Sequence, residues 1–187
     1  MAPELQTHRL RLRSWRESDA ADGFAIYGDQ EVTRTLGLAM PMVSMDEMRR
    51  TLREWIAKYS RPEMLKWGAW ALELTGPGTV VGMGLLNPTR GPDVAIELGW
   101  HLGRNYWGRG LATEAGSAMI RYAFETCRLH EIVALIEPEN GRSAGVARRL
   151  GLSLAERTSR FNGFSCDVWR LTRTDWQEAR NVEDGDA

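Results

Sequence analysis

The sequence predicts a mixed α/β (α+β) fold, a single domain spanning residues 1–187, and three patterns carry that prediction. Residues 66–102 hold three strand-like runs joined by short glycine- and proline-bearing turns, which reads as an antiparallel meander. Residues 131–136 form an almost wholly apolar run between two helical stripes, as expected of a strand buried on both faces beside a parallel neighbour. A length of 187 residues, against a prior of roughly 150 per domain, argues for one unit.

The elements follow in order. Over residues 8–14, Leu10 and Leu12 alternate with Arg9, Arg11 and Arg13, predicting a half-exposed strand. Ser18 opens a short helix carrying Phe24, Ile26 and Tyr27, and the stretch from Gly28 to Gly37 reads as loop. Ser44 and Glu47 have the spacing of a capping box, after which Met45, Met48, Leu52, Trp55, Ile56 and Tyr59 recur at helical intervals. Strands are expected at 66–75 and 79–87 around a turn at Gly76, Pro77 and Gly78, and at 94–102 after Gly91 and Pro92. From Gly108 the period changes: Leu111, Ala112, Ala115, Met119, Tyr122 and Ala123 share one stripe of a helix ending near Arg128. Pro138 stops the buried strand, and Asn140 caps a helix whose Val146, Ala147 and Leu150 face inward before Gly151 and Leu152 terminate it. Strands at 152–160 and 164–173, turning at Asn162 and Gly163, complete the sheet. The acidic residues 181–187 read as a frayed, solvated tail.

Composition bounds the function. With 43% hydrophobic and 26% charged residues the chain can close a core and is not disordered. Its 24 basic against 25 acidic residues leave a net charge of -1, so no global field holds nucleic acid or an anionic membrane. Cys127 and Cys166 are too few for a disulfide framework and lack metal-site spacing, which suits a reducing cytoplasm and no metal. Residues 1–7 lack a signal-peptide pattern, and the longest apolar stretch, 80–86, is too short to span a bilayer. The 8 tryptophans exceed what a core requires, which leaves Trp15 and Trp100, with Phe24 and Tyr27, available to wall a cavity.

The informative stretch is 100–112, W-H-L-G-R-N-Y-W-G-R-G-L-A. A strand runs into a loop with Gly108 and Gly110, and a helix starts at once. Glycines there let backbone N–H groups approach an anion, and the helix N-terminus adds roughly half a positive charge. Arg104 and Arg109 flank the loop and can add charge-assisted contacts. A phosphate or pyrophosphate is one guest that fits; a glycine-rich turn with two solvated arginines is the other reading. The phosphate-binding loop of nucleotide hydrolases needs a lysine where Leu111 stands, and the dinucleotide fingerprint needs a third glycine where Thr113 stands.

Residues 96–115, I-E-L-G-W-H-L-G-R-N-Y-W-G-R-G-L-A-T-E-A, with Asn140, Ser143, Leu150 and Gly151 downstream, resemble the GNAT superfamily of acyl-CoA-dependent N-acetyltransferases. The opening H-R-L-R-L-R with Trp15 and Asp19 and the closing V-W-R-L-T-R-T-D-W are similar to its RimJ/RimL-like subgroup, which acetylates ribosomal-protein N-termini. The resemblance implies a central mixed, mostly antiparallel twisted sheet, split by a V-shaped opening and flanked by helices. It implies that Trp107, Gly108, Arg109, Gly110, Leu111 and Ala112 surround the pyrophosphate of acetyl-CoA, with backbone near Leu102 pairing with the pantetheine. Asn140 and Ser143 match positions on the cofactor's lower arm. The opening is expected where Gly99 and Trp100 form a bulge. Two departures stand out: Asn105 replaces the family's usual Gln or Arg, and Ala147 replaces a tyrosine proton donor.

The implied reaction is direct attack of a primary amine on the thioester in a ternary complex. Glu97 is the first candidate for the base, on the strand leading into the loop; pairing with a sheet arginine is the equal alternative. His101 shares its face about 13 Å away at ~3.3 Å per residue, and reads as a strand histidine with a backbone partner. Glu114, in the first helical turn, and Cys127, on an apolar stripe, read as structural. The acceptor, a protein N-terminus or a small amine such as a polyamine or antibiotic, should sit against the first two helices and the 28–42 loop. A sensor that binds acyl-CoA without turnover is the competing reading, and monomer and homodimer both stay open.

Overall fold

The computed structural model describes residues 3–34, 36, 40–89, 94–161 and 165–185, with backbone alone for 183–185. A short strand β1 (Leu5–Gln6) pairs with β2 (Leu10–Ser14), where the leucine–arginine alternation buries Leu10 and Leu12. Helices α1 (Ala20–Tyr27), α2 (Gln30–Arg34) and α3 (Met45–Tyr59) follow. α2 lies within the segment expected to be loop; the Asp29 carboxylate accepts from Glu31 N at 2.8 Å and starts it. In α3 the Ser44 hydroxyl accepts from Glu47 N at 3.2 Å, the predicted cap. The meander then forms as β3 (Gly68–Leu74), β4 (Val80–Pro88) and β5 (Ile96–Leu102). The anticipated turn residues Gly91, Pro92, Asn162 and Gly163, with Gly37 and Phe164, lie outside the described residues.

Helix α4 (Leu111–Arg121) continues as a π-helical turn over Tyr122–Thr126 and ends at Arg128 in a left-handed conformation, φ 57°. Strand β6 (Glu131–Ile136), helix α5 (Gly141–Arg149), and strands β7 (Ser153–Thr158) and β8 (Cys166–Thr172) complete the sheet. The last helix, α6 (Arg173–Gly185), corrects the expected tail: residues 181–185 are helical rather than frayed. Trp176 fastens it, its ring 5.3 Å from that of Phe124.

The eight strands order as β1-β2-β3-β4-β5-β6-β8-β7, and every neighbouring pair is antiparallel except β5–β6. That parallel pair holds at a single position, Glu97 opposite Val133. Past it the two strands diverge, and the sheet opens into a V. The β4–β5 register runs unbroken through Gly84–Trp100 and Leu85–Gly99, so no bulge interrupts it at Gly99 and Trp100. The expected opening is there, made by lost pairing between β5 and β6.

Helices cover both faces. On one, Leu111, Met119 and Ile120 of α4 and Val146 of α5 pack on Leu12, Leu72 and Leu98. Gly84 permits this approach, since a Cβ there would lie 2.7 Å from Met119 Sδ. On the other, Ile26, Met48 and Leu52 pack on Ala69, Ala71 and Met83. A buried ionic cluster joins β2, β3 and the start of α1: Arg13, 2% exposed, donates to both Asp19 oxygens at 2.8 and 2.9 Å and to Glu73. Burial drives Glu73 up, but hydrogen bonds from Arg13 and Arg11 outweigh it and hold the carboxyl below its usual range.

Candidate active site

A cavity of about 1160 Å³ occupies the V between β5 and β6. That exceeds a typical small-ligand pocket of roughly 300–1,000 Å³, leaving room for two reactants. Its floor comes from Glu97 to Leu102 of β5 and Ala134 to Ile136 of β6.

At one end two helix N-termini converge. Gly108 and Gly110 adopt φ 72° and 75°, left-handed values that favour glycine, so the loop can turn and start α4 with its first N–H groups open. Nothing lies within 4 Å of a Cβ built on Gly108, leaving an uncovered backbone cradle. Trp107 folds back so that its indole N–H donates to Leu102 O at 2.8 Å, pinning the loop to the strand end. Across the opening, the Asn140 side chain accepts from Ser143 N at 3.1 Å and caps α5 as expected. The Arg142 guanidinium lies 4.5 Å from the Trp107 ring and joins the two sides. Arg149 Nε reaches Thr113 Oγ1 at 3.4 Å, tying the end of α5 to the first turn of α4.

The loop is held from outside by the N-terminal segment. Glu114 accepts from Thr7 Oγ1 at 2.6 Å, Arg9 N at 2.7 Å and Arg9 Nε at 2.6 Å, while Arg9 Nη1 donates to Arg109 O at 2.9 Å. Burial raises Glu114, yet these donors win and keep it ionised below the usual range. Its structural reading holds, with the N-terminal clasp as the physical reason.

The other end of the cavity is different in character. Glu97 is half-buried in the cavity wall and makes no hydrogen bond or ion pair to any described residue, so pairing with a sheet arginine does not occur. Burial pushes its carboxyl up to about 7. His101, on the same face, has Nδ1 3.3 Å from the Tyr27 hydroxyl, which replaces the expected backbone partner; burial pushes the imidazole down to about 4. Cys166 also lines the cavity, and its thiol is raised by burial and then by the nearby Glu97 charge. The register makes Gly103 a hydrogen-bonded partner of Val81, with N–H to O at 2.9 Å. Antiparallel alternation therefore turns the main-chain groups of Leu98, Trp100 and Leu102 toward the opened edge.

Of the residues singled out from sequence, Glu97, Leu102, Trp107, Gly108, Ala112, Asn140 and Ser143 line one cavity. Arg109 is exposed with its guanidinium 5.4 Å from the Tyr106 ring, and Gly110 is the N-cap of α4. Leu111 is 3% exposed, its side chain anchoring the helix in the core rather than facing the cavity. Trp100 joins the walls, whereas Trp15, Phe24 and Tyr27 pack in the α1–α3 cluster. The sequence reading missed Arg142, Arg149, Val32, Leu36 and Phe161; arginines on the exposed side of a cap-led helix were the available signal for the first two. No group of three or more metal-ligating side chains occurs among the described residues, and no described helix is long and apolar enough to cross a membrane.

A mostly antiparallel sheet opened at its one parallel pair, with a glycine-led helix N-terminus at the mouth, defines the acetyltransferase class. Residues 9–153 match the acetyltransferase (GNAT) domain, and the chain belongs to that family. It is 29% identical over 163 residues to the uncharacterized protein YkkB of Bacillus subtilis, 85% of this chain and 90% of that one. Over 106 residues, about half of each chain, it is 34% identical to the [ribosomal protein uS5]-alanine N-acetyltransferase of Escherichia coli. Among solved structures, an acetyltransferase from Agrobacterium tumefaciens superposes with a TM-score of 0.75 at 27% identity, covering 91% of this chain and 95% of the other.

Proposed function

We propose that the chain moves the acetyl group of acetyl-CoA to a primary amine, with a protein N-terminal α-amine as the acceptor class, by direct attack within a ternary complex. One observation carries the reading: two helix N-termini and a half-buried carboxylate converge on a single cavity.

The residues present suit the donor. Gly108, Gly110 and the first N–H groups of α4 would take the pyrophosphate, with Trp107, Arg109, Leu111 and Ala112 shaping the loop. Asn140 and Ser143 would flank the lower arm, and the turned-out backbone of Leu98, Trp100 and Leu102 would align the pantetheine. Bound there, acetyl-CoA would supply an activated acyl thioester. Backbone N–H donors at the opened edge suit negative charge on an acyl oxygen, because they are held in place before it develops.

Glu97 serves as the base. A carboxyl near 7 is ionised in about half of the molecules at neutral pH and accepts a proton readily, the balance that favours general-base action. Ala147 carries only a methyl group and is fully buried in the core, so this position offers no proton donor. An unperturbed thiol, with pKa near 8.5, leaves without one. On the α1–α3 side the walls Val32, Leu36 and Leu85 are apolar, which suits a monoamine more than a polycation. The similarity to an alanine N-acetyltransferase supports a peptide acceptor. Two free cysteines suit a cytoplasmic protein, acting as monomer or homodimer.

Calorimetric titration with acetyl-CoA, using NADH as control, followed by thiol release with an alanine-initiated peptide, tests the reading. Micromolar acetyl-CoA binding and peptide-dependent thiol release are expected. Binding of NADH, or no binding of acetyl-CoA by folded protein, overturns it.

A further inference from the structure

The β5 face that carries Glu97 also carries His101, and acetyl transfer as read above gives that imidazole no task. It lines the cavity, and its ring meets Tyr27 edge-on, centroids 6.2 Å apart. Tyr27 is 2% exposed, and the only described partner of its hydroxyl is His101 Nδ1, at 3.3 Å. Burial pushes the phenol up and the imidazole down, so the phenol keeps its proton and the imidazole is neutral. A proton on Nδ1 would leave the phenol hydrogen buried without an acceptor among the described residues, which costs the desolvation of that group. Tyr27 therefore donates to Nδ1, and the ring hydrogen sits on Nε2. Nε2 has no hydrogen-bond partner among the described residues and is not sealed from solvent, which leaves it open to the cavity.

Between the two side chains lies Gly99, which contributes backbone alone. The Leu85 side chain leans against this glycine, 3.3 Å from where a Cβ would stand, so the strip between the carboxylate and the N–H donor is bare backbone flanked by Leu85, and any larger residue at 99 would crowd it. His101 lies four steps along the strand from Glu97, roughly 13 Å at ~3.3 Å per step. Three to four residues of extended chain cover that span.

We propose that His101 Nε2–H, locked by Tyr27, is a specificity-determining donor that receives a main-chain carbonyl of an extended peptide acceptor lying over Gly99 with its α-amine at Glu97. It selects peptides over short amines, which reach only Glu97, and over polyamines, which bring no carbonyl. The proposal rests on the acetyl-transfer reading and adds the acceptor's required length and chemistry.

The test compares alanine amide with a tetra-alanine amide as acceptors. Loss of one hydrogen bond predicts that His101→Leu lowers the kcat/KM preference for the tetrapeptide over alanine amide about 3- to 10-fold, through the tetrapeptide's KM. His101→Gln, which keeps an N–H, recovers part of the loss. An unchanged preference in His101→Leu overturns the proposal. Independently of turnover, long-range 1H–15N spectra of the wild-type protein should show the Nε2–H tautomer and a shift of that signal when tetrapeptide is added. Tyr27→Phe should release the tautomer. An Nδ1–H tautomer, or no shift with bound peptide, overturns the proposal even if no amine is acetylated, whereas absence of acetylation with a shifted signal overturns only the acetyl-transfer reading.

Discussion

Replacing Glu97 with glutamine separates what this carboxylate does for the reaction from what it does to the fold. Its carboxyl titrates near 7 in the folded protein against 4.5 when unperturbed, a difference of roughly 3 kcal/mol, which water reaching the cavity reduces. The raised value means the folded state holds the proton more tightly than the unfolded one. Stability is therefore fully present below about pH 4.5 and is lost as pH rises through about 7. Glu97→Gln removes that loss: it should match wild type at pH 4.5 and exceed it at pH 8 by up to about 3 kcal/mol, or a Tm increase of up to about 10 °C. Activity should move the opposite way. In the wild type the acid limb of kcat/KM follows Glu97; in the variant it follows the free acceptor, near 7.7–8.0 for an α-amine. The deficit at pH 7 should be at least ~10-fold, approach the ~10²-fold of a lost general base, and shrink above pH 9. Thermal melts at pH 4.5 and 8 and a pH–rate profile on a peptide acceptor measure both. Identical melts at pH 8, or an unmoved acid limb, would refute the assignment.

Arg13→Met leaves Asp19 buried without an ionic partner and Glu73 with Arg11 alone, and should cost about 3–5 kcal/mol at pH 7 by urea denaturation. Because Glu73 is held below its usual range, its contribution exists above about pH 4.5 and fades as pH falls, so the deficit should narrow at pH 3.5. Gly110→Ala places a side chain at φ 75°, costing about 1–2 kcal/mol of stability and weakening acetyl-CoA in a calorimetric titration. Glu114→Ala removes the three bonds that position Thr7 and Arg9 and so loosens the Arg9 contact to Arg109 O; steady-state kinetics should show KM for acetyl-CoA rising about 3- to 10-fold, the size of one ordinary hydrogen bond, with acceptor KM unchanged.

Local chemistry was legible in the sequence wherever neighbouring residues decide the outcome. Ser44 and Asn140 cap their helices, and Gly108 and Gly110 take the left-handed conformations that the loop demanded. Helix α6 went unread because its sequence is predominantly polar; among its described residues Trp176 alone packs on the hydrophobic core. The signal was there in Thr172 and Asp175: Asp175 N donates to Thr172 Oγ1 at 3.1 Å in a cap. What separates β5 from β6 was not readable, since parallel pairing at Glu97 and Val133 alone is a property of two strands and the helices packed on them. The partner of His101 lay equally out of reach, 74 residues away on α1.

The alternation of β5 is what lets one strand serve two reactants. Its hydrogen bonds to β4 use the main chain of Glu97, Gly99, His101 and the following Gly103, so those residues have no backbone to spare, and the Glu97 and His101 side chains share the face toward α1–α3. Leu98, Trp100 and Leu102 have the reverse arrangement, with backbone turned toward the V, where the Trp107 indole already holds the Leu102 carbonyl, and with the Leu98 and Leu102 side chains in the α4-side core. A donor read by backbone and an acceptor read by side chains can then be selected independently. Substitutions in the Gly108–Gly110 loop should act on acetyl-CoA, and substitutions at Glu97 or His101 on the amine. A one-residue slip of β5 against β4 would exchange the two sets, turning Glu97 into the α4 core and exposing Leu98 to the acceptor. The seven-residue register between β4 and β5, from Gly82–Leu102 to Pro88–Ile96, is thus a functional as well as a structural constraint.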